Sequence, residues 1–462
     1  MKTTKSDLNP PRKNGHPANR REAGSIFGFS VVLGTLAIGL LPASAEGFRN
    51  PPPGTFDLGR AGGRIAQVDD ASAVQQNPAN LPDLLNPEFQ FTPSIVYIHV
   101  NYRSSSGEVA STKNPWKLLP NLFATVPLVD DKLAFGLGFS VPYGLANEWN
   151  NNTSAFARPS GSWRYQSPFL SKLETINFNP SLGLKINDHW SVGAGLDVMW
   201  SRLTLRQFYP WFLSTGNLAN PDGYATVKAT GIGAGANFGT TVHITEHQRL
   251  ALTLRTPVRV DYEGHFGVDN VPASFGGGRM GDKFATSIKF PTIIAAGYGV
   301  DVTDKIRVES DVEWLQFSNF KSLQLKSRTA ATLGFPASTP QNWHDTFTAG
   351  IAGDWKFATN WVARLGYQYY ESPVPDSTFS PTIPDSNQNV FTFGLGYTCG
   401  HHGLEAGYGL DFYDDRNIKN DQNPAFNGKY TMTVHLFSLS YRILSKFSEN
   451  DLPPRRQEGF GY

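Results

Sequence analysis

Between residues 88 and 444, apolar and polar side chains alternate with a period of two through segment after segment. That pattern constrains the fold more than any other feature of the chain. In the stretch WSVGAGLDVMW, Trp190, Val192, Ala194, Leu196, Val198 and Trp200 point one way, and Ser191, Gly193, Gly195, Asp197 and Met199 the other. Ten steps of about 3.3 Å span roughly 33 Å. Tilted by about 40°, they cover roughly 25 Å, the height of the apolar band between the aromatic girdles of an outer-membrane barrel. The two indoles then fall at the two interfaces. Segment 305–325 repeats the logic. Ile306, Val308, Val312 and Trp314 share one face, while Arg307, Glu309, Asp311 and Glu313 share the other. Four charges on one strand face suit a polar lumen and would be very costly in the dry core of a soluble β-sandwich.

Fourteen strands are read in this way: 88–103, 117–127, 132–142, 173–187, 189–206, 226–245, 248–263, 286–303, 305–325, 344–358, 360–372, 389–399, 402–413 and 429–444. The connections sort by length. NDH, TEHQ, TDK, ATN and CGHHG sit at one end, and residues 143–172, 207–225, 264–285, 326–343, 373–388 and 414–428 at the other. Short turns on one side, long loops on the other and an even strand number predict an all-β, fourteen-stranded antiparallel transmembrane barrel.

The N-terminus reads as an export signal. Lys2, Lys5, Arg12, Lys13, Arg20 and Arg21 form a basic leader, IFGFSVVLGTLAIGLL is an apolar core, and Ala43-Ser44-Ala45 is a small-residue cleavage site. The alternative is a short membrane anchor. Removing the six basic and two acidic residues of 1–45 from the 40 and 39 of the whole chain leaves 34 against 37. No basic surplus remains, so nucleic acid is not an expected partner. Cys399, the single cysteine, rules out an internal disulfide. Beyond the leader no run of 18 apolar residues offers a transmembrane helix. Residues 46–86 are Gly/Pro-rich without alternation, which fits either a flexible linker or a plug. Residues 445–462, with Pro453-Pro454, are read as a periplasmic tail.

Two places depart from plain barrel chemistry. The loop that starts QFYPWFL gathers Phe208, Tyr209, Trp211, Phe212 and Leu213 on the long-loop side, and Leu203 and Leu205 keep inward parity below it. Such an apolar patch marks a hydrophobic capture surface, unless the rings only pack loop on loop. In FSVPYGLANEW, Pro142 lacks an N–H and Gly144 tolerates unusual backbone angles, so regular pairing should fail around Pro142, Tyr143 and Gly144. Pro142 then either ends its strand or opens the wall.

Asp57 to Leu81, DLGRAGGRIAQVDDASAVQQNPANL, resembles the N-terminal hatch of the FadL family of outer-membrane transporters for long-chain fatty acids and hydrocarbons, which includes toluene-type channels. The matching motifs are Gly59-Arg60-Ala61, Asp69-Asp70-Ala71 and Asn77-Pro78-Ala79, followed in order by LRTPVRVDYEGHF, DVEWLQFSNFKSL and ESPVPDSTFSPTIPDSNQ. The resemblance implies a fourteen-stranded barrel with a hatch over 46–86 inside its lumen. It implies passive uptake by a monomer, without catalysis, cofactor or metal, among outer-membrane lipid and lipopolysaccharide. It implies a gating role for Asn77, Pro78 and Ala79, and lateral release near Pro142, Tyr143 and Gly144. Family members that carry fatty acids hold the carboxylate with an arginine and a lysine. Here Gln207 stands at the arginine position with Arg206 beside it, no lysine occurs in FPASTPQNWHD, and the acidic Glu371 is kept. Arg206, Gln207 and Glu371 are therefore the head-group candidates, with Arg206 alternatively meeting lipopolysaccharide phosphate. The missing cations leave a neutral hydrocarbon open as cargo. A polar-solute porin conflicts with the plug and the apolar mouth. A lipid hydrolase would need a Ser–His pair at the outer surface, whereas His401-His402 lies in a short turn.

Overall fold

The computed structural model describes residues 47–445; the expected signal and all but the first residue of the expected tail lie outside the described residues. One antiparallel sheet closes on itself through fourteen staves, several of them interrupted. The first is Glu88–Phe91 continued by Ser94–Arg103. The second is Val109–Ser111, Trp116–Leu119 and Leu122–Val129, and the third Leu133–Ser140 and Gly144–Glu148. Then come Leu170–Asn187, Trp190–Tyr209 and Gly223–Thr245. The seventh and eighth are each broken in two, as Gln248–Arg255 with Arg259–Val268 and Met280–Lys289 with Ile293–Thr303. Ile306–Leu315, Thr346–Ala358, Trp361–Tyr370, Gln388–Cys399, His402–Tyr413 and Gly428–Leu444 complete the ring. The first stave pairs with the last from Glu88↔Leu444 to Arg103↔Lys429, so no edge is left open.

Alternation sets which face meets what. Trp190, Leu196 and Trp200 are exposed on the outer face, while Ser191, Asp197, Met199 and Ser201 are buried toward the lumen. On the ninth stave Arg307, Glu309, Asp311 and Glu313 all face inward and are buried. The two-residue turns Glu246-His247, Asp304-Lys305, Thr359-Asn360 and Gly400-His401 sit at the end opposite the long loops. In one place the period misleads. The ninth stave stops at Leu315, not 325, and Ser322–Gln324 instead pairs with Ser338–Pro340 in a separate small sheet. Phe317 and Phe320 turn in to pack on Phe48, with ring centroids at 5.8 and 5.7 Å, and that apolar gain ends the stave.

The lower lumen is occupied by the chain's own N-terminal segment. From Pro53 to Pro82 only Asp69 and Gln76 escape full burial. Short turns of helix, Thr55–Gly59, Ala73–Gln76 and Pro78–Asp83, replace alternation there, because the segment is surrounded by wall on every side. Inward-facing Gly183, Gly193 and Gly239 let it approach. A Cβ at these positions would lie 2.4, 2.3 and 2.1 Å from atoms of Asn77 or Pro78.

Leu196, 59% exposed midway between the two indoles, tests the lipid-facing assignment. Leu196→Arg should cost about 2–4 kcal/mol in guanidinium unfolding from phospholipid vesicles, while Leu196→Ala should cost far less.

Candidate functional site

Buried charge holds the lower lumen together. Arg60, wholly buried, donates to Glu309 at 2.6 Å and Asp354 at 2.9 Å. Arg64 pairs with Glu313, and its backbone N–H donates to Asp311 at 2.6 Å. The N–H groups of Ile65 and Ala66 donate to Glu309 at 2.8 and 2.5 Å, and Arg307 reaches Asp69 at 2.6 Å. The charged inner face of the ninth stave is thus a receptor for the N-terminal segment. At the base, Asn77 donates to Thr241 at 2.9 Å and to the Ile65 carbonyl at 2.8 Å.

Higher up, the wall is interrupted. The second and third staves pair from Val129↔Leu133 up to Leu122↔Phe139. Beyond a bond from the Val141 N–H to the Asn121 side chain at 3.2 Å, backbone pairing resumes where the Lys113 N–H donates to the Glu148 carbonyl at 2.7 Å, beside the Thr112↔Trp149 bridge. Between these points residues 114–120 and 140–147 face each other without a ladder. Pro142 and Gly144 lie in this interval, and chain 48–50 takes up the freed groups from inside. The Gly144 N–H donates to the Phe48 carbonyl at 2.9 Å, and the Asn50 N–H to the Pro142 carbonyl at 3.0 Å. Tyr143 is buried, stacked on Phe290 at 4.5 Å and edge-on to Phe48 at 6.0 Å.

A chamber of about 760 Å³ opens from the upper lumen into this interval. Its walls are the inward side chains of the first and last staves, Val96, Ile98 and Val100 with Met432, Val434 and Leu436, and Leu58 of the N-terminal segment reaches it from below. At the wall it runs out between Leu119, Leu145 and Leu173 to the outer-face residues Trp116, Leu118, Ile176 and Trp200. An apolar path thus runs from the lumen to the lipid-facing surface, with charged side chains such as Lys117, Glu148, Lys172 and Asp385 along its margin.

The sequence candidates fall in four places. Pro142, Tyr143 and Gly144 stand at the interruption. Phe208 and Trp211 are buried among the long loops. Phe208 lies 4.9 Å from Phe169 and 5.3 Å from Tyr224, with the Arg164 guanidinium 4.0 Å above its ring. The Trp211 indole N–H donates to the Asp269 carbonyl at 2.8 Å, and Tyr209 stacks on Phe335 at 5.8 Å. Phe212 is half-buried, Leu213 is 69% exposed, and Leu203 and half-buried Leu205 line the inner wall below. The head-group candidates do not converge. Arg206 lies over Phe169 and Tyr224, Gln207 donates to the Tyr165 carbonyl at 2.6 Å, and Glu371 accepts the Phe347 N–H at 2.8 Å. Asn77, Pro78 and Ala79 close the base, away from the chamber. Sequence reasoning missed the chamber itself. Its signal was available: in SIVYIHV and MTVHLF the parity of Val96, Ile98 and Val100 and of Met432, Val434 and Leu436 is apolar, where a polar lumen would ask for polar residues.

Asp385 roofs the chamber. Its buried carboxylate accepts the Gly47 N–H at 2.9 Å and the Ser372 hydroxyl at 2.6 Å. Burial pushes its pKa up from 3.8 to about 7 despite these donors.

A family model described as "Outer membrane protein transport protein (OMPP1/FadL/TodX)" matches residues 37–444. The long-chain fatty acid transport protein of Salmonella typhi is 24% identical over 428 residues, covering 87% of this chain and 94% of the relative. That of Escherichia coli O6:H1 is 26% identical over 409 residues, covering 81% and 88%. In structure, a Pseudomonas aeruginosa FadL homologue superimposes with a TM-score of 0.73 at 23% identity, over 86% of this chain and 99% of its own. The Pseudomonas putida toluene transporter TodX gives 0.67 at 15% identity, over 86% and 100%.

Removing Arg60 would leave buried Glu309 without its ion-pair partner and Asp354 with only Arg364 and Arg307, at 3.4 and 3.8 Å, at about 3–5 kcal/mol. Arg60→Ala should loosen the N-terminal segment, seen as a steady ion current across planar bilayers where the intact chain passes little. Because the folded-state pKa of Asp385 lies above its ordinary value, the folded chain binds the proton more tightly. Its contribution to stability should therefore fall as pH rises from about 4 to 7 and stay flat above. Hydrogen exchange at residues 47–50, corrected for intrinsic rate, should show easier opening at pH 8 than at pH 5, and Asp385→Asn should abolish that difference.

Proposed function

The chain belongs to the outer membrane protein transport family of the OMPP1/FadL/TodX type, and from that membership we propose that it admits long-chain fatty acids by passive uptake and releases them sideways into the membrane. The observation that carries the reading is the apolar chamber that leads to the interrupted ladder at Pro142. An oily molecule meets three obstacles: the sugar-coated outer leaflet, the polar lumen and the aqueous periplasm. The loop cluster of Phe208, Tyr209, Trp211 and Phe212, with Leu203 and Leu205 below, is the capture surface, and Leu213 is its exposed edge. The chamber holds the chain out of water. The interval between the second and third staves lets it leave before it reaches the periplasm.

Within this reading the N-terminal segment is a hatch with two parts. Arg60, Arg64, Asn77, Pro78 and Ala79 seal the base, fixed by ion pairs and by close contact with wall glycines. Residues 47–52 line the chamber beside the interruption and are bound to it mainly through backbone groups, so they are the part that yields. The protein works as a monomer among lipid and lipopolysaccharide, and its named relatives are transporters, not enzymes. A neutral hydrocarbon is the second reading, favoured by the scatter of Arg206, Gln207 and Glu371.

Cells without a fatty-acid transporter of their own should take up labelled oleate several times faster when they produce this chain. Ala146→Trp, which narrows the interval, should remove most of that gain while leaving the barrel folded. Uptake no faster than in cells without the chain would overturn the transport reading.

A further inference from the structure

The charged side chains of the chamber are mostly paired. Arg49 donates to Glu313 at 2.7 Å, Lys113 lies 3.2 Å from Glu148, and Arg202 lies 2.7 Å from Glu174. Two cations remain without a carboxylate among the described residues, Lys117 and Lys172, and both line the chamber. Lys117 sits on the second stave opposite Val96, so its side chain enters the lumen with Val96 and Leu119. Its ammonium donates to the Asn114 carbonyl, which leaves two of its three protons for another acceptor. Lys172 has outward parity on the fourth stave, across the interruption from the second. Glu148 and Glu174 lie near enough to act on them electrostatically, but each is within ion-pair distance of another cation, Lys113 at 3.2 Å and Arg202 at 2.7 Å. Asp385 is engaged by Gly47 and Ser372. Asp411 lies two staves beyond the first, so three spacings of about 4.8 Å put it roughly 14 Å from Lys117.

An ammonium beside an oily cavity that has a carbonyl but no carboxylate within ion-pair distance is costly unless an anion reaches it. We propose that Lys117 is a head-group-binding residue, holding the carboxylate of a long-chain fatty acid whose tail lies against Val96, Val434 and Leu436. Lys172 receives the same carboxylate at the outer mouth. This deepens the uptake reading and rests on it: it selects an anionic amphiphile over a neutral hydrocarbon, by a residue that the scattered Arg206, Gln207 and Glu371 do not supply. The apolar walls stay fixed and the two lysines mark the polar path, so the head group moves from one ammonium to the next while the tail keeps its contacts.

The test uses the mature full chain in non-ionic detergent, with oleate and oleyl alcohol as probes. Lys117→Met keeps the length and apolar bulk of the side chain and removes the charge. It should weaken oleate binding about tenfold and leave oleyl alcohol unchanged, while Lys117→Arg keeps most of the oleate affinity. Equal oleate binding by the intact chain and Lys117→Met would overturn the assignment, as would an equal loss for both probes. Heat-modifiable gel mobility shows that each variant is a folded barrel. Lys172→Met, on the outer face, should slow oleate uptake by cells with little change in equilibrium binding, and unaltered uptake would remove its half of the proposal. If the intact chain binds neither probe, the uptake reading fails instead.

Discussion

In a bilayer every backbone N–H and C=O must find a partner inside the protein, and the rest of this architecture answers to that requirement. Pairing the first stave with the last meets it around most of the circumference. The interruption beside Pro142 violates it locally, and the deficit is made good from inside by Phe48 and Asn50. That repair ties a wall defect to a segment nearly a hundred residues earlier in the chain. In the proposed reading, a passage through the wall and a movable N-terminal segment are thus one feature seen from two sides. Were residues 47–52 to withdraw, the backbone groups of the third stave would lose their partners, so opening in the proposed reading carries a built-in cost that favours reclosure.

The same segment is held very differently along its length. Below, it is fixed by Arg60 and Arg64 against Glu309, Asp354, Glu313 and Asp311, where removing one partner leaves another charge stranded. Above, one ion pair, Arg49 to Glu313, is joined by backbone hydrogen bonds to Phe48 and Asn50 and by the packing of Phe48 among Tyr143, Phe290 and Trp343. Net contributions near 1 kcal/mol per neutral hydrogen bond make the upper part the softer one. Nothing apolar can substitute for the guanidinium groups below.

Much of this was legible in the sequence because lipid imposes a strict period. Trp190 to Trp200 and the charged alternation of 307 to 313 each fix a face without reference to any other strand. Chain 316–325 broke that reading because aromatic packing of Phe317 and Phe320 outweighed the continuing apolar pattern. The hatch motifs carried resemblance but not partners: the acids of the ninth stave were recognisably luminal, yet nothing in their spacing says that Arg60 and Arg64 occupy them. The chamber was harder still. Its inner wall joins the first two staves to the thirteenth and fourteenth, which are neighbours only because the barrel closes. Leu203 and Leu205 drew attention through apolar inward parity, and Val96, Ile98, Val434 and Leu436 carry the same mark.

The division of the lumen into an oily upper chamber and a charged lower clamp also bears on direction. A fatty acid drawn toward the base would have to dehydrate the Arg60–Glu309 and Arg64–Glu313 pairs, or bring its tail among them, and either is costly in a confined site. Moving sideways past Leu145 and Leu173 exchanges one apolar surface for another. The tail therefore gains little by leaving and loses little by staying, which is what a passive conduit needs. The carboxylate has no such neutral route unless cations mark it, and along the interruption Lys117 inside and Lys172 outside stand without carboxylate partners of their own. The direction of exit follows from where charge is already satisfied and where it is not.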